Sequence, residues 1–104
     1  MKTLKLIGLG NDEFNKRSFF ILEQSELFQK YFNEILEKIK IKDMIYDEQL
    51  PIKSRVNEID HFKNEDYDID VIYTKEKIML IVRSKQENLE RFKSLILAYS
   101  TMEK

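Results

Sequence analysis

The stretch from Ile69 to Phe92 constrains the fold more than any other part of the chain. It places an alternating strand, a short turn, the most apolar run of the protein and a helix start one after another. The apolar run, Ile78 to Val82, predicts a strand that is buried on both faces in the middle of a sheet. Ser84 and Glu87 follow it with the spacing of a capping box, which predicts where the last helix begins.

Two strands and a first helix are predicted before that stretch. Residues 3 to 9 fit a strand, and residues 18 to 23 fit either a second strand or the first turns of a helix. The strand is favoured for residues 18 to 23 because Ser25 then suits a helix N-cap. From Glu26 to about Lys42, apolar side chains recur on one broad face, which predicts an amphipathic helix.

The middle of the chain has a weaker pattern. Residues 43 to 51 read as a connector, since Pro51 prevents a continuous helix. Residues 52 to 62 space their apolar side chains by three, which indicates an irregular or bulged strand. Apolar residues then alternate with aspartates from Tyr67 to Tyr73, as in a half-buried strand. The last helix is expected from Lys85 to about Met102, with an apolar stripe that includes Tyr99 and Met102.

These elements predict an α+β fold in the order β-β-α-β-β-β-α. We expect a mostly antiparallel sheet of four to five strands, with two helices packed on one of its faces. The chain has 104 residues, so residues 1–104 are interpreted as a single domain.

Composition removes several classes of function. The chain has no cysteine and a net charge of −1, so it offers no thiolate chemistry and no general attraction to nucleic acid or anionic lipid. No stretch approaches the length of a membrane span, and the N-terminus does not resemble a secretory signal. We therefore expect a cytoplasmic protein with no nucleic-acid or membrane partner.

Two short motifs resemble ligand-binding signatures and then depart from them. Gly8-Leu9-Gly10 begins a dinucleotide fingerprint, but Glu13 stands at the third glycine position. Asp66, Asp68 and Asp70 resemble the start of a calcium loop, which then fails because Val71 replaces its glycine and Lys77 its bidentate glutamate. The sequence therefore predicts neither a cofactor nor a metal site, and it gives no catalytic assignment.

His61 is the only histidine of the chain. A histidine beside a carboxylate can act as a general base. One alternative is therefore a small enzyme or ligand-binding domain that uses His61 with Asp60 or Asp70. A surface histidine without a chemical role is the simpler interpretation.

Negative charge concentrates between Glu58 and Asp70, where six acids stand against one lysine and one histidine. Such a patch favours a basic protein partner. The hypothesis is a non-catalytic immunity or inhibitor protein that covers the active site of a basic partner such as a nuclease toxin, with Tyr46 as a further aromatic anchor. The residues predicted to bind the partner are Glu58, Asp60, Phe62, Asp66, Tyr67, Asp68 and Asp70.

Two alternatives to that hypothesis stay open. The three aspartates of the alternating strand also fit an ordinary solvated strand face, which is the common location of such charges. A structural module that forms a homodimer through an exposed edge strand is a further alternative, so we expect a monomer or a homodimer.

Overall fold

Two helices pack on one face of a six-stranded sheet in the computed structural model, which describes residues 2–42 and 56–102. The strands are β1 (Leu4–Asp12), β2 (Arg17–Glu23), β3 (Ile59–Lys63), β4 (Asp68–Tyr73), β5 (Lys77–Arg83) and β6 (Ser100–Met102), and the helices are α1 (Phe28–Lys38) and α2 (Gln86–Ala98). This arrangement confirms the predicted α+β class. The single-domain assignment stays a prediction, since residues 43–55 lie outside the described part.

The strands lie in the order β3-β4-β5-β2-β1-β6. The pairs from β3 to β1 are antiparallel, and β6 alone runs parallel to its neighbour β1. The sheet is therefore mixed, with one strand more than the sequence predicts. The strand interpretation of residues 18 to 23 is confirmed, because they form most of β2.

The core lies between the sheet and the helices, and aromatic side chains connect the two layers. Phe20 of β2 contacts Phe92 of α2, with ring centroids 5.5 Å apart. Phe62 of β3 meets Phe32 of α1 edge to face, with centroids 5.4 Å apart. Such tilted and edge-on contacts suit the ring quadrupoles. The other buried hydrophobic strand residues that face the helices are Leu4, Leu6, Leu22, Ile69, Val71, Tyr73, Ile78, Leu80 and Val82.

Strand β5 is central, as predicted, but it is not buried on both faces. Ile78, Leu80 and Val82 are buried toward the helices, whereas Met79 and Ile81 are only half-buried. Successive side chains of a strand point to opposite faces, and both described helices contact the same one. We call the opposite side of the sheet the outer face.

Both helices are shorter than predicted. Helix α1 begins at Phe28, and the Ser25 hydroxyl accepts a bond from the Leu27 amide at 3.2 Å in the turn that precedes it. Helix α2 ends at Ala98, and after Tyr99 the residues Ser100 to Met102 pair with β1 as β6. Met102 is 53% exposed in that strand, so the prediction that it packs inward on a helix is wrong.

The predicted capping box is also wrong. Lys85 is the N-cap of α2, and the described residues show no side-chain capping hydrogen bond at that helix start. The Ser84 hydroxyl instead donates to the carbonyl of Asp66 in the β3–β4 turn. Glu87 pairs with Lys85 at 2.9 Å, and the Lys85 ammonium lowers the pKa of the Glu87 carboxyl.

Of the residues 52 to 62 that are predicted to form an irregular strand, 56–62 are described, and there the strand β3 begins at Ile59. Asn57 precedes it with a φ of 73°, a left-handed conformation that asparagine tolerates better than most residues. The connector at residues 43 to 51 and the anchor Tyr46 lie outside the described residues. Within the described part, neither helix has the length and apolar composition needed to cross a bilayer.

We predict that Phe92→Ala destabilises the fold by about 3–5 kcal/mol, because it removes a fully buried ring that contacts the sheet. Leu97→Ala, on the same helix but at a side chain that is 37% exposed, should cost much less and serves as the control. Equilibrium denaturation in urea measures both. Equal losses in the two variants would contradict this placement of α2.

Ser84 and Glu87 should contribute independently to stability, because they have different partners. Ser84→Ala should cost about 0.5–1.5 kcal/mol through the lost hydrogen bond. The double variant with Glu87→Ala should be additive within about 0.5 kcal/mol. A larger coupling in a double-mutant cycle would restore the capping-box interpretation.

Candidate functional site

The outer face of the sheet changes character along the strands. In one row of residues paired across five strands, the side chains are small or apolar: Gly8, Ile21, Met79, Ile72 and Ile59. The row at the other end is entirely charged and consists of Asp12, Arg17, Arg83, Asp68 and Lys63. The row between them contains both small or apolar and polar side chains and consists of Gly10, Phe19, Ile81, Asp70 and His61. Strand register, and not any local motif, therefore assembles this surface.

A cluster of three potential metal ligands lies where β3 meets β4. His61 is the register partner of Asp70, and Asp68 is two residues away on the same face. The Nε2 atom of His61 lies 2.5 Å from Oδ1 of Asp68 and 4.0 Å from Oδ1 of Asp70. The three donor atoms lie within 4.8 Å of one another. We call these residues the His–Asp–Asp cluster.

Arg83 of β5 holds the cluster from its other side. Its Nη1 atom donates to Oδ2 of Asp70 at 2.9 Å and lies 3.7 Å from Oδ1 of Asp68. The two oxygens of Asp70 therefore face different neighbours, Oδ2 toward the guanidinium and Oδ1 toward the imidazole. The guanidinium attracts both carboxylates at these distances, although partial exposure weakens the attraction.

Three of the predicted partner-binding residues lie on the helix side of the sheet instead. Phe62 and Tyr67 are 1% and 4% exposed, so they belong to the core and offer no surface to a partner in this fold. Burial also raises the pKa of the Tyr67 hydroxyl. Asp60 accepts a bond from the Tyr73 hydroxyl at 3.0 Å. Aromatic residues beside acids in the sequence proved to be core residues because alternation turns them inward.

The remaining predicted residues are at least partly accessible. Asp68 and Asp70 are half-buried on the outer face, whereas Glu58 and Asp66 are exposed at the ends of β3 and its turn. Asn64 shapes that turn, because its side-chain oxygen accepts bonds from the amides of Asp66 and Tyr67, each at 2.8 Å. The predicted acids thus occupy both ends and both faces of one edge hairpin, not a single face.

Neither carboxylate that the sequence suggested is the hydrogen-bond partner of His61 among the described residues. Asp60 points to the helix side, and Asp70 is beyond hydrogen-bonding distance from the imidazole. Asp68 is the hydrogen-bond partner. The His61 side chain is 52% exposed, and a groove of about 470 Å³ nearby includes Asp68 and Arg83 in its lining but not His61. Enclosure of a substrate, which small-molecule sites usually provide, is not seen around His61 in the described residues.

That groove lies where several turns meet at the end of the sheet. It runs between the β1–β2 turn, the β3–β4 turn and the start of α2. Lys16, Lys63 and Lys85 line it together with Glu65 and Asp66, so charges of both signs alternate around it. The mixture does not favour an anionic or a cationic small ligand.

Arg83 is the member of this site that sequence reasoning missed. Strand alternation could have identified it: Val82, the residue before it, is a core residue, so Arg83 must point to the outer face. The same alternation places His61 outward, since Phe62 is buried. Which of these outward residues touch one another depends on register between strands, which the alternation alone does not specify.

Comparisons with protein-family models, with curated proteins and with solved structures find no match to this chain.

We predict a measurable interaction between Arg83 and Asp70, because their charged groups are 2.9 Å apart and the Asp70 side chain is only 25% exposed. A double-mutant cycle with alanine at each position should give a coupling of about 0.5–1 kcal/mol that weakens as salt is added. Lys5 and Glu23, 3.9 Å apart with side chains 58% and 49% exposed, form the control pair and should give almost none. Equal coupling in both pairs would contradict this view of the site.

Proposed function

We propose that the protein is a non-catalytic binding protein of the immunity or inhibitor kind, which recognises a basic protein partner through the edge hairpin β3–β4. We call residues 58–70, which include β3 and the first half of β4, the acidic hairpin. The observation that carries the proposal is the position of this hairpin at the edge of the sheet, where its charges are accessible from more than one side.

The charge of the acidic hairpin supports a basic partner. Its six acids are opposed within the segment by Lys63 and, when protonated, by His61. Arg83 offsets one further charge from the neighbouring strand. A clear excess of negative charge therefore stays on one margin of a chain whose net charge is only −1. Such an excess attracts a cationic surface and accelerates its encounter with the protein.

The outer face next to the hairpin supplies apolar contact area. Ile59 of β3 is 65% exposed, and Ile7 of β1, which β5 and β2 separate from the hairpin, is 40% exposed. Phe19, Ile21, Met79 and Ile81 are half-buried between them. Interfaces combine an apolar centre with charged margins. The geometry therefore favours a partner whose basic rim meets the acidic hairpin while its centre rests on the outer face.

Glu65→Gln with Asp66→Asn is the variant that tests the proposal, since both side chains are exposed in the β3–β4 turn. Glu37→Gln with Glu90→Gln is the control, because it removes the same charge from exposed positions on the two helices. Partners are captured from cells that produce this chain and identified, and their association rates are measured at several ionic strengths.

We expect a basic partner that associates more slowly with the hairpin variant than with the control, and with a shallower dependence on salt. Loss of the partner's own activity on binding would support the inhibitor assignment. An acidic partner, equal rates for the two variants, or no partner other than a second copy of this chain would overturn the proposal.

A further inference from the structure

We propose that the His–Asp–Asp cluster is a surface site for a divalent transition-metal ion, with Zn²⁺ as the reference ligand. Nε2 of His61, Oδ1 of Asp68 and Oδ1 of Asp70 supply three protein ligands, and water completes the coordination. The proposal does not depend on a protein partner.

The donor set suits this class of ion. One imidazole nitrogen and two carboxylate oxygens are ligands that Zn²⁺ accepts, whereas Ca²⁺ and Mg²⁺ favour sites built from oxygen alone. Sites with three protein ligands leave an open position for water. The His61, Asp68 and Asp70 side chains are 52%, 34% and 25% exposed, so an ion and its water can enter directly from solvent.

The distances are close to those that one ion needs. Tetrahedral ligands about 2.0–2.1 Å from zinc lie about 3.3 Å from one another. His61 Nε2 is 2.5 Å from the Asp68 oxygen and 4.0 Å from the Asp70 oxygen. The two separations from His61 Nε2 therefore change by less than about 1 Å when the ion binds, a shift that side-chain rotation supplies without movement of the strands.

The sheet fixes the ligands, and Arg83 orients one of them. His61 and Asp70 are directly opposed in an antiparallel pair, where the two Cβ atoms are about 4.5–5.5 Å apart. The guanidinium binds Oδ2 of Asp70 at 2.9 Å, which leaves Oδ1 turned toward His61. Hydrogen-bonded outer neighbours of this kind hold metal ligands in position.

The charges around the cluster give a cation little net attraction. Two carboxylates and one guanidinium leave one negative charge when the imidazole is neutral, and a divalent ion reverses it to one positive charge. The positive charges of Arg83 and of Lys63, the register partner of Asp68, both repel the ion. Selectivity among divalent cations therefore depends on the ligand types and their geometry more than on net charge. Simple electrostatic attraction predicts instead that all divalent cations bind alike.

The composition of the chain allows metal binding at this site to be detected without interference from other histidines or cysteines. His61 is the only histidine, and cysteine is absent, so any imidazole signal that responds to metal reports this site alone. Zn²⁺ is titrated into the full chain by calorimetry, and the imidazole resonances are followed by NMR. Ca²⁺ and Mg²⁺ are titrated in parallel. The variants are His61→Ala and Asp70→Asn, with Glu65→Gln as the control for an adjacent exposed acid.

We expect one Zn²⁺ per chain, a shift of the His61 resonances, and no comparable response to Ca²⁺ or Mg²⁺. His61→Ala and Asp70→Asn should each weaken Zn²⁺ binding by at least about 10-fold, while Glu65→Gln should leave it unchanged. Circular dichroism confirms that the variants are folded. Absence of Zn²⁺ binding, equal responses to all three ions, or binding that survives His61→Ala would overturn the inference.

Discussion

Burial of one face of the sheet under α1 and α2 is the constraint on which the rest of the structure depends. Five strands place large apolar side chains on that face, and their alternation then forces every intervening residue outward. His61, Asp68, Asp70 and Arg83 meet on the outer face for this reason. A slip of one residue in β4 would turn its two aspartates inward and expose three core side chains, Ile69, Val71 and Tyr73. The hydrophobic core therefore also fixes the register of the charged cluster.

Local patterns predicted the strands well and the ends of the helices poorly. Alternation identified β4, and the continuous apolar run identified β5, because both patterns reflect burial that acts on each residue separately. The periodic spacing of Tyr99 and Met102 extended α2 too far, since Ser100 to Met102 gain more by pairing with β1. Ser84 and Glu87 have the letters of a capping box, yet Ser84 bonds Asp66, which is 18 residues away. Tertiary contacts decided each of these outcomes.

The residues of the candidate site could be predicted from the sequence, but the contacts between them could not. The acids between Glu58 and Asp70 and the single histidine are evident from the sequence, as is the direction in which β4 turns its aspartates. The pairing of His61 with Asp68, and not with Asp60, depends on the β3–β4 register. The contribution of Arg83 depends on a second register, between β4 and β5. Phe62 and Tyr67 were misplaced because an aromatic residue beside acids fits an interface and a core edge equally well.

Asp68 and Asp70 illustrate why a row of like charges on a strand persists at little cost. Two unit charges about 4 Å apart interact by about 1 kcal/mol in water and by about 4 kcal/mol at a protein surface of lower effective dielectric. Arg83 and His61 supply compensating hydrogen bonds to these carboxylates, so the fold itself offsets part of the repulsion.

Cationic side chains of a partner must then compete with the Arg83 guanidinium, which is already bound to these carboxylates. Exposed acids without such a partner, as at Glu65, retain more of their attraction for a distant basic surface and contribute more to the rate of encounter. The cluster is thus better suited to hold a ligand in fixed geometry, and the turn of the acidic hairpin to attract a partner from a distance.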